Sequence, residues 1–330
     1  MSTLGTPPPP SPVPPIALRT YAAIRLGVVA VILALGFAVW REIANEQHGC
    51  VQRSLSAYYY TPVRPVFVGA LLIIGFAMIV LWGKTAAEDV ALNLAGLLLM
   101  VVALVPTLDA NYCSLPTSVA QTGGSQEKPV ADNDLIADNA QTVARSFSSL
   151  LVVLALVLVF LAVLGVWHYV TAPAGASPGT KVIAGYAVTW LLAAIAWVVY
   201  LVLYLDRSNP DSVFNHQVHS MSANIGVGFV IVAVVLAALE KSRDPDAPGP
   251  WWARWRPVWW DDPWTWVYGA LAGLMILTVV IVRGGDALGL YSGWLDIHAT
   301  FVLEAILIGL LGVFWVCQTI DRRHEGAPAY

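Results

Sequence analysis

The chain has 330 residues, 58% of them hydrophobic and only 12% charged, with a net charge of −4 at neutral pH; its mean hydropathy is +0.70. A soluble domain carries about 25% charged residues, so a water-facing surface cannot be built from this composition and lipid has to solvate most of it. The slight acidity offers no electrostatic footprint to nucleic acid. Three cysteines without CxxC spacing make neither a disulfide scaffold nor a thiolate zinc site.

In chain order, residues 1–17 come first. Seven prolines between Pro7 and Pro15 give them the composition of a disordered polyproline-type tail. Apolar runs then recur near 19–40, 65–83, 88–106, 148–170, 182–204, 219–239, 264–283 and 297–318. Each approaches the roughly 20 residues that a helix needs to cross the hydrocarbon core. None shows the period-2 alternation of a barrel strand. The expectation is an all-α polytopic transmembrane bundle of eight spans over residues 18–320, with the lipid bilayer as its partner. The first run follows Arg19 and Arg25, yet it is too long for a signal peptide and lacks a small-x-small cleavage site, so it reads as a retained helix. The second and third runs, joined by Trp82-Gly83-Lys84, read as a helical hairpin.

Lys and Arg in the loops set the orientation. With the N-terminus in the cytoplasm, ten fall inside and seven outside. Both termini then come out cytoplasmic, the last as the tail 321–330. The external loops are 41–64, 107–146, 206–218 and 284–296. The Ala-, Val- and Arg-rich composition suggests a bacterial source, and hence a multi-pass protein of the plasma (inner) membrane. Cys50 and Cys113 fall in the first two external loops, where a disulfide and two free thiols both fit; Cys317 lies near the cytoplasmic end of the last span.

Three loops carry information. In the first external loop, Tyr58-Tyr59-Tyr60 suits a headgroup interface, or alternatively the lip of a pocket. The second external loop is acidic, with Asp109, Glu127, Asp132, Asp134 and Asp138, and its last part reads as a short surface helix running into the fourth span. The cytoplasmic loop 241–262 is rich in tryptophan: seven of the fourteen lie between Trp251 and Trp266. Beside Arg254 and Arg256 they read as lying flat on the inner leaflet.

Ionisable groups inside spans are costly and are functional candidates by default. Glu304 lies two turns into the last span, and a spacing of four places it on one stripe with Asp296 and Thr300. It reads as a cation or proton acceptor, or as a carboxyl that holds helices together. Four histidines, His48, His216, His219 and His298, fall on the external side. If Asn209-Pro210 starts a helix, His216 and His219 share one face and are spaced for a common metal. With His298 they would hold zinc and leave an open position, and Asp109 or Glu304 would act as acid or base. No P-loop, GxGxxG, HExxH or GxSxG pattern is present, and no matched pair of broken helices points to an inverted-repeat transporter.

The stretch Ser54-Leu55-Ser56-Ala57-Tyr58-Tyr59-Tyr60-Thr61-Pro62-Val63-Arg64-Pro65-Val66-Phe67-Val68-Gly69-Ala70, with Glu88-Asp89-Val90-Ala91-Leu92-Asn93-Leu94-Ala95-Gly96, resembles an uncharacterised group of actinobacterial polytopic integral membrane proteins. That resemblance implies membrane location and no particular activity. A more distant similarity is to the alkaline ceramidase and progestin-receptor-like membrane hydrolases, which place a Ser, an Asp and three His around zinc. Here Ser54 or Ser56, Asp109, His216, His219 and His298 would be the counterparts. The chain departs from that pattern: it has HxxH in place of HxxxH, and no His follows its Ser by four.

Two function classes follow. One is a transport, sensory or envelope-structural module with an external polar mouth. The other is a zinc-dependent membrane hydrolase acting on a lipid amide or ester. The first is preferred because no recognisable catalytic pattern is present.

Overall fold

The computed structural model describes residues 15–45, 49–81, 83–107, 113, 133–171, 180–209, 211–242 and 262–323. The proline-rich stretch before Pro15, His48, Asp109, most of the second loop, the tryptophan-rich loop 243–261 and His324 lie outside the described residues. So do the side chains of Asp134, Asp138 and His168.

The described residues form helices and no strand. They are α1 (Pro15–Asn45), α2 (Arg64–Val80), α3 (Ala86–Leu104), α4 (Asn133–Thr171), α5 (Thr180–Leu205), the single turn α6 (Val213–His216), α7 (Val218–Lys241), α8 (Pro263–Ala287) and α9 (Trp294–Asp321). Seven of these are long and apolar enough to cross a membrane, and α2, at 17 residues, is a shorter eighth. In lipid a segment must satisfy its own backbone, which is why each long apolar run becomes a helix. The chain is thus an all-α, multi-pass helical membrane protein. The fourth span starts earlier than its apolar run: α4 is one continuous 39-residue helix, so the helix at the end of the second loop runs straight into the span.

Six helices close a ring, each packing on the next: α1, α2, α3, α7, α8, α9 and back to α1. Glycine permits the closest approach in it. A Cβ on Gly75 of α2 would come within 2.7 Å of the Gly96 carbonyl oxygen of α3, and one on Gly96 would strike the Gly75 carbonyl. Small residues at such a crossing let backbones meet where lipid gives no hydrophobic drive.

α4 and α5 stand outside this ring and reach it mainly through α3. They are joined by donors at seven-residue intervals on α5. Trp190 Nε1 donates to the Leu158 carbonyl at 2.9 Å, Trp197 Nε1 to Leu151 at 2.8 Å and the Tyr204 hydroxyl to Ala144 at 3.1 Å. The acceptors also step by seven, in the opposite direction. A seven-residue repeat keeps one face of a helix against an antiparallel neighbour, and here it also finds partners for polar ring atoms in a nonpolar surround.

Candidate functional site

Residues 51–63, ahead of α2, are not a surface loop. They fold back over the ring and dock on α9, with one contact per helical turn. The Val51 carbonyl faces His298 Nε2 at 3.0 Å; the Arg53 carbonyl accepts from the Phe301 N–H at 3.0 Å. Glu304 Oε2 then accepts from the N–H groups of Leu55 at 2.7 Å and Ser56 at 3.3 Å, and its Oε1 from the Ser56 hydroxyl at 3.2 Å. Alternate residues 51, 53 and 55 of this irregular segment meet residues 298, 301 and 304 on a helix. Non-helical backbone at membrane depth is tolerated where protein buries it, and these contacts supply that burial.

The same segment is fixed at both ends. Cys50 is disulfide-bonded to Cys113, with a Cα–Cα distance of 5.7 Å. After the 3-10 turn Ser56–Tyr60, Thr61 Oγ1 donates to the Tyr58 carbonyl at 2.9 Å and accepts from the Val63 N–H at 3.2 Å, steering the chain into α2. Ser54 Oγ accepts from the Ala57 N–H at 3.1 Å and caps the turn.

Tyr58 and Tyr59 are 1% and 3% exposed, which overturns a headgroup-interface placement. The Tyr58 ring lies 6.2 Å from Phe301. Tyr59 takes the Arg64 guanidinium over its ring at 4.1 Å and on its hydroxyl at 2.5 Å. The Tyr60 hydroxyl donates to the Thr107 carbonyl at 2.8 Å, tying the segment to the end of α3. A tyrosine needs an apolar seat for its ring and a partner for its hydroxyl; the fold supplies both.

Beneath this roof lies a cavity of about 240 Å³, walled by α2, α3, α7, α8 and α9. Its polar atoms belong to Ser56, Ser222, Asn224, Arg283 and Glu304; Leu, Val, Ile, Met and Phe make up most of the remaining wall. Glu304 therefore belongs to the roof contact and the cavity wall at once. Asp296, in the first turn of the same helix, is exposed, so the Asp296–Thr300–Glu304 stripe does not face the bundle along its whole length.

The histidines do not meet. The helix holding His216 starts from Ser212, whose side chain accepts from the Asn215 N–H, and not from Asn209-Pro210. It ends at Gln217, where φ is −126° and ψ −21°, before α7 begins. His216 and His219 thus belong to two helices and not to one face. His216 is exposed. His219 Nδ1 contacts the Val105 carbonyl. His298 is buried, stacked on Trp294 at 4.4 Å, with Nδ1 at 2.8 Å from the Trp294 carbonyl and Nε2 on Val51. Both ring nitrogens of His298 face carbonyl oxygens, where a metal would have to displace the roof. Among the described residues no group of three His, Cys, Asp or Glu is placed to hold a metal. Asp109, the other acid named from sequence, lies outside the described residues.

Sequence reasoning passed over a second polar cluster at the opposite end of the ring. Glu88 is fully buried, 3.3 Å from Arg322 and 3.4 Å from Gln318 Nε2, and accepts from the Lys84 N–H at 2.8 Å. Arg25 is buried on α1, its guanidinium 5.8 Å from the centroid of the Tyr21 ring and within electrostatic reach of Glu88 and Arg322. Nearby, Asp321 takes Lys241 at 2.8 Å and the Tyr268 hydroxyl at 3.0 Å. One signal was available: Thr85-Ala86-Ala87-Glu88 is a capping-box sequence. No family model matches the chain, and neither a curated protein nor a solved structure does.

Proposed function

We propose that the chain is a transport or sensory module of a bacterial plasma membrane, with a polar mouth on the external side opening into an apolar cavity. The observation that carries this reading is the cavity roof, hung from the carboxylate of Glu304. The walls are packed helices. The roof is a short segment whose polar hold on α9 centres on Glu304, beside its own buried side chains and one disulfide. The lysine and arginine asymmetry of the loops puts the roof outside, in the compartment where a Cys50–Cys113 bond persists.

The test is thiol labelling in intact cells. Ala223, on the cavity wall, is replaced by Cys in a Cys317→Ser background. A membrane-impermeant maleimide should reach Cys at 223 from outside, and faster when Glu304→Ala releases the roof. Labelling only from the inner side of inverted vesicles, or at a rate indifferent to Glu304→Ala, would overturn the reading.

A further inference from the structure

The cavity is elongated and polar at one end only. It follows α2 from Phe67 to Met78 and α9 from Glu304 to Leu311, stretches of about 16 and 10 Å at the helical rise of ~1.5 Å per residue. A cavity of about 150 Å³ accommodates benzene. On that scale, the 240 Å³ here take on the order of ten carbon atoms. Spread over the length of the walls, that volume is one hydrocarbon chain wide.

The polar end decides what head such a chain would carry. Ser222 is committed, its hydroxyl 2.6 Å from the Val218 carbonyl and 2.7 Å from the Tyr200 hydroxyl. Ser56 and Glu304 are committed to each other, and the Glu304 carboxylate already receives three donors from the roof. Arg283 differs. It lines the cavity, is exposed, and lies within electrostatic reach of the Glu304 carboxylate, but no hydrogen bond joins the two; its Nη2 reaches the Asn224 side-chain oxygen only at 3.5 Å, the outer limit of a hydrogen bond. A guanidinium presents a planar fork of donors that fits a carboxylate through two parallel bonds. The Asn224 amide beside it adds a neutral donor.

We infer that the cavity binds a single-chain amphiphile with an anionic head, a medium-chain carboxylate of the fatty-acid type. The chain lies between α2, α3, α7, α8 and α9, and the carboxylate lies on Arg283 and Asn224. This rests on the reading of the cavity as a binding site that opens beneath its roof.

The full chain is reconstituted in lipid nanodiscs, and saturable binding of radiolabelled decanoate is measured against empty nanodiscs, with decanol and decyltrimethylammonium as competitors. Decanoate should bind at least tenfold more tightly than either competitor. Arg283→Gln should weaken decanoate roughly ten- to a hundredfold, the range for losing a charge-assisted pair, and leave decanol unchanged. Ala223→Trp, which fills the cavity, should abolish both. Equal binding of decanoate and decanol by the native chain, or preference for the cationic amphiphile, overturns the head assignment while the binding module stands. Binding of no decyl compound above empty nanodiscs overturns both. The head-group comparison uses the unaltered chain, so it holds even if a variant fails to fold.

Discussion

Glu304→Ala is the most direct probe of the roof. The substitution removes the acceptor for two backbone N–H groups and one hydroxyl, contributed by Leu55 and Ser56. Each buried donor left without an acceptor costs about 1–3 kcal/mol, so the two amides alone put the loss at about 2–6 kcal/mol. The lower part of that range, about 2–3 kcal/mol, favours local opening by roughly 30- to 150-fold. Glu304→Gln is milder. Its carbonyl oxygen turns to the two amides and its NH₂ to the Ser56 hydroxyl, which also accepts; what is lost is the charge, about 1 kcal/mol. Hydrogen–deuterium exchange on the purified protein reads this as the free energy of local opening of residues 51–61. Exchange there should rise in the order native, Gln, Ala, with the α4–α5 pair unchanged. If Glu304→Ala leaves exchange at 51–61 untouched in a folded protein, Glu304 does not hold the roof.

Other perturbations test separate parts of the structure. Cys50→Ser opens a 63-residue covalent loop and should lower stability by about 4 kcal/mol in the chain-entropy account; added reductant should shift thermal unfolding of the native protein likewise and leave the variant unmoved. Gly96→Ala drives a methyl into the Gly75 carbonyl and should cost about 1–3 kcal/mol or more, whereas Gly273→Ala, with nothing within 4 Å, should gain about 0.5–1 kcal/mol from helix propensity. Melting curves of the two variants in one detergent decide whether α2 and α3 meet as closely as described. Glu88→Ala removes the carboxylate that buried Arg322 faces and should cost about 3–5 kcal/mol. Glu88→Gln should fall between it and the native chain in the same melt.

The seven membrane-length helices and the shorter α2 are legible in the sequence because the bilayer leaves the backbone one choice. A run of about 20 apolar residues can satisfy its N–H and C=O groups only as a helix, and the helices of this chain lie within a few residues of those runs, α4 excepted. In α4 the polar residues before 148 continue the same helix, since Val143 and Phe147 bury themselves against Val101, Val105 and Phe214. Glu304 stood out as an ionisable group in a span, yet its role could not be read from its own helix. Its donors sit 248 and 249 residues away in the chain, in a segment with no helical or strand period to announce it. The tyrosines show the same limit. A run of three beside a span satisfies rings and hydroxyls equally well at a lipid interface or inside a protein, and only the docking of that segment on α9 chooses between them. The histidine pair failed for a local reason, because a capping serine at Ser212 and a break at Gln217 place three-residue neighbours on different helices. Local chemistry and the solvent determined which residues became helices. Which polar groups face one another was decided by the closure of the ring, through contacts between segments far apart in the chain.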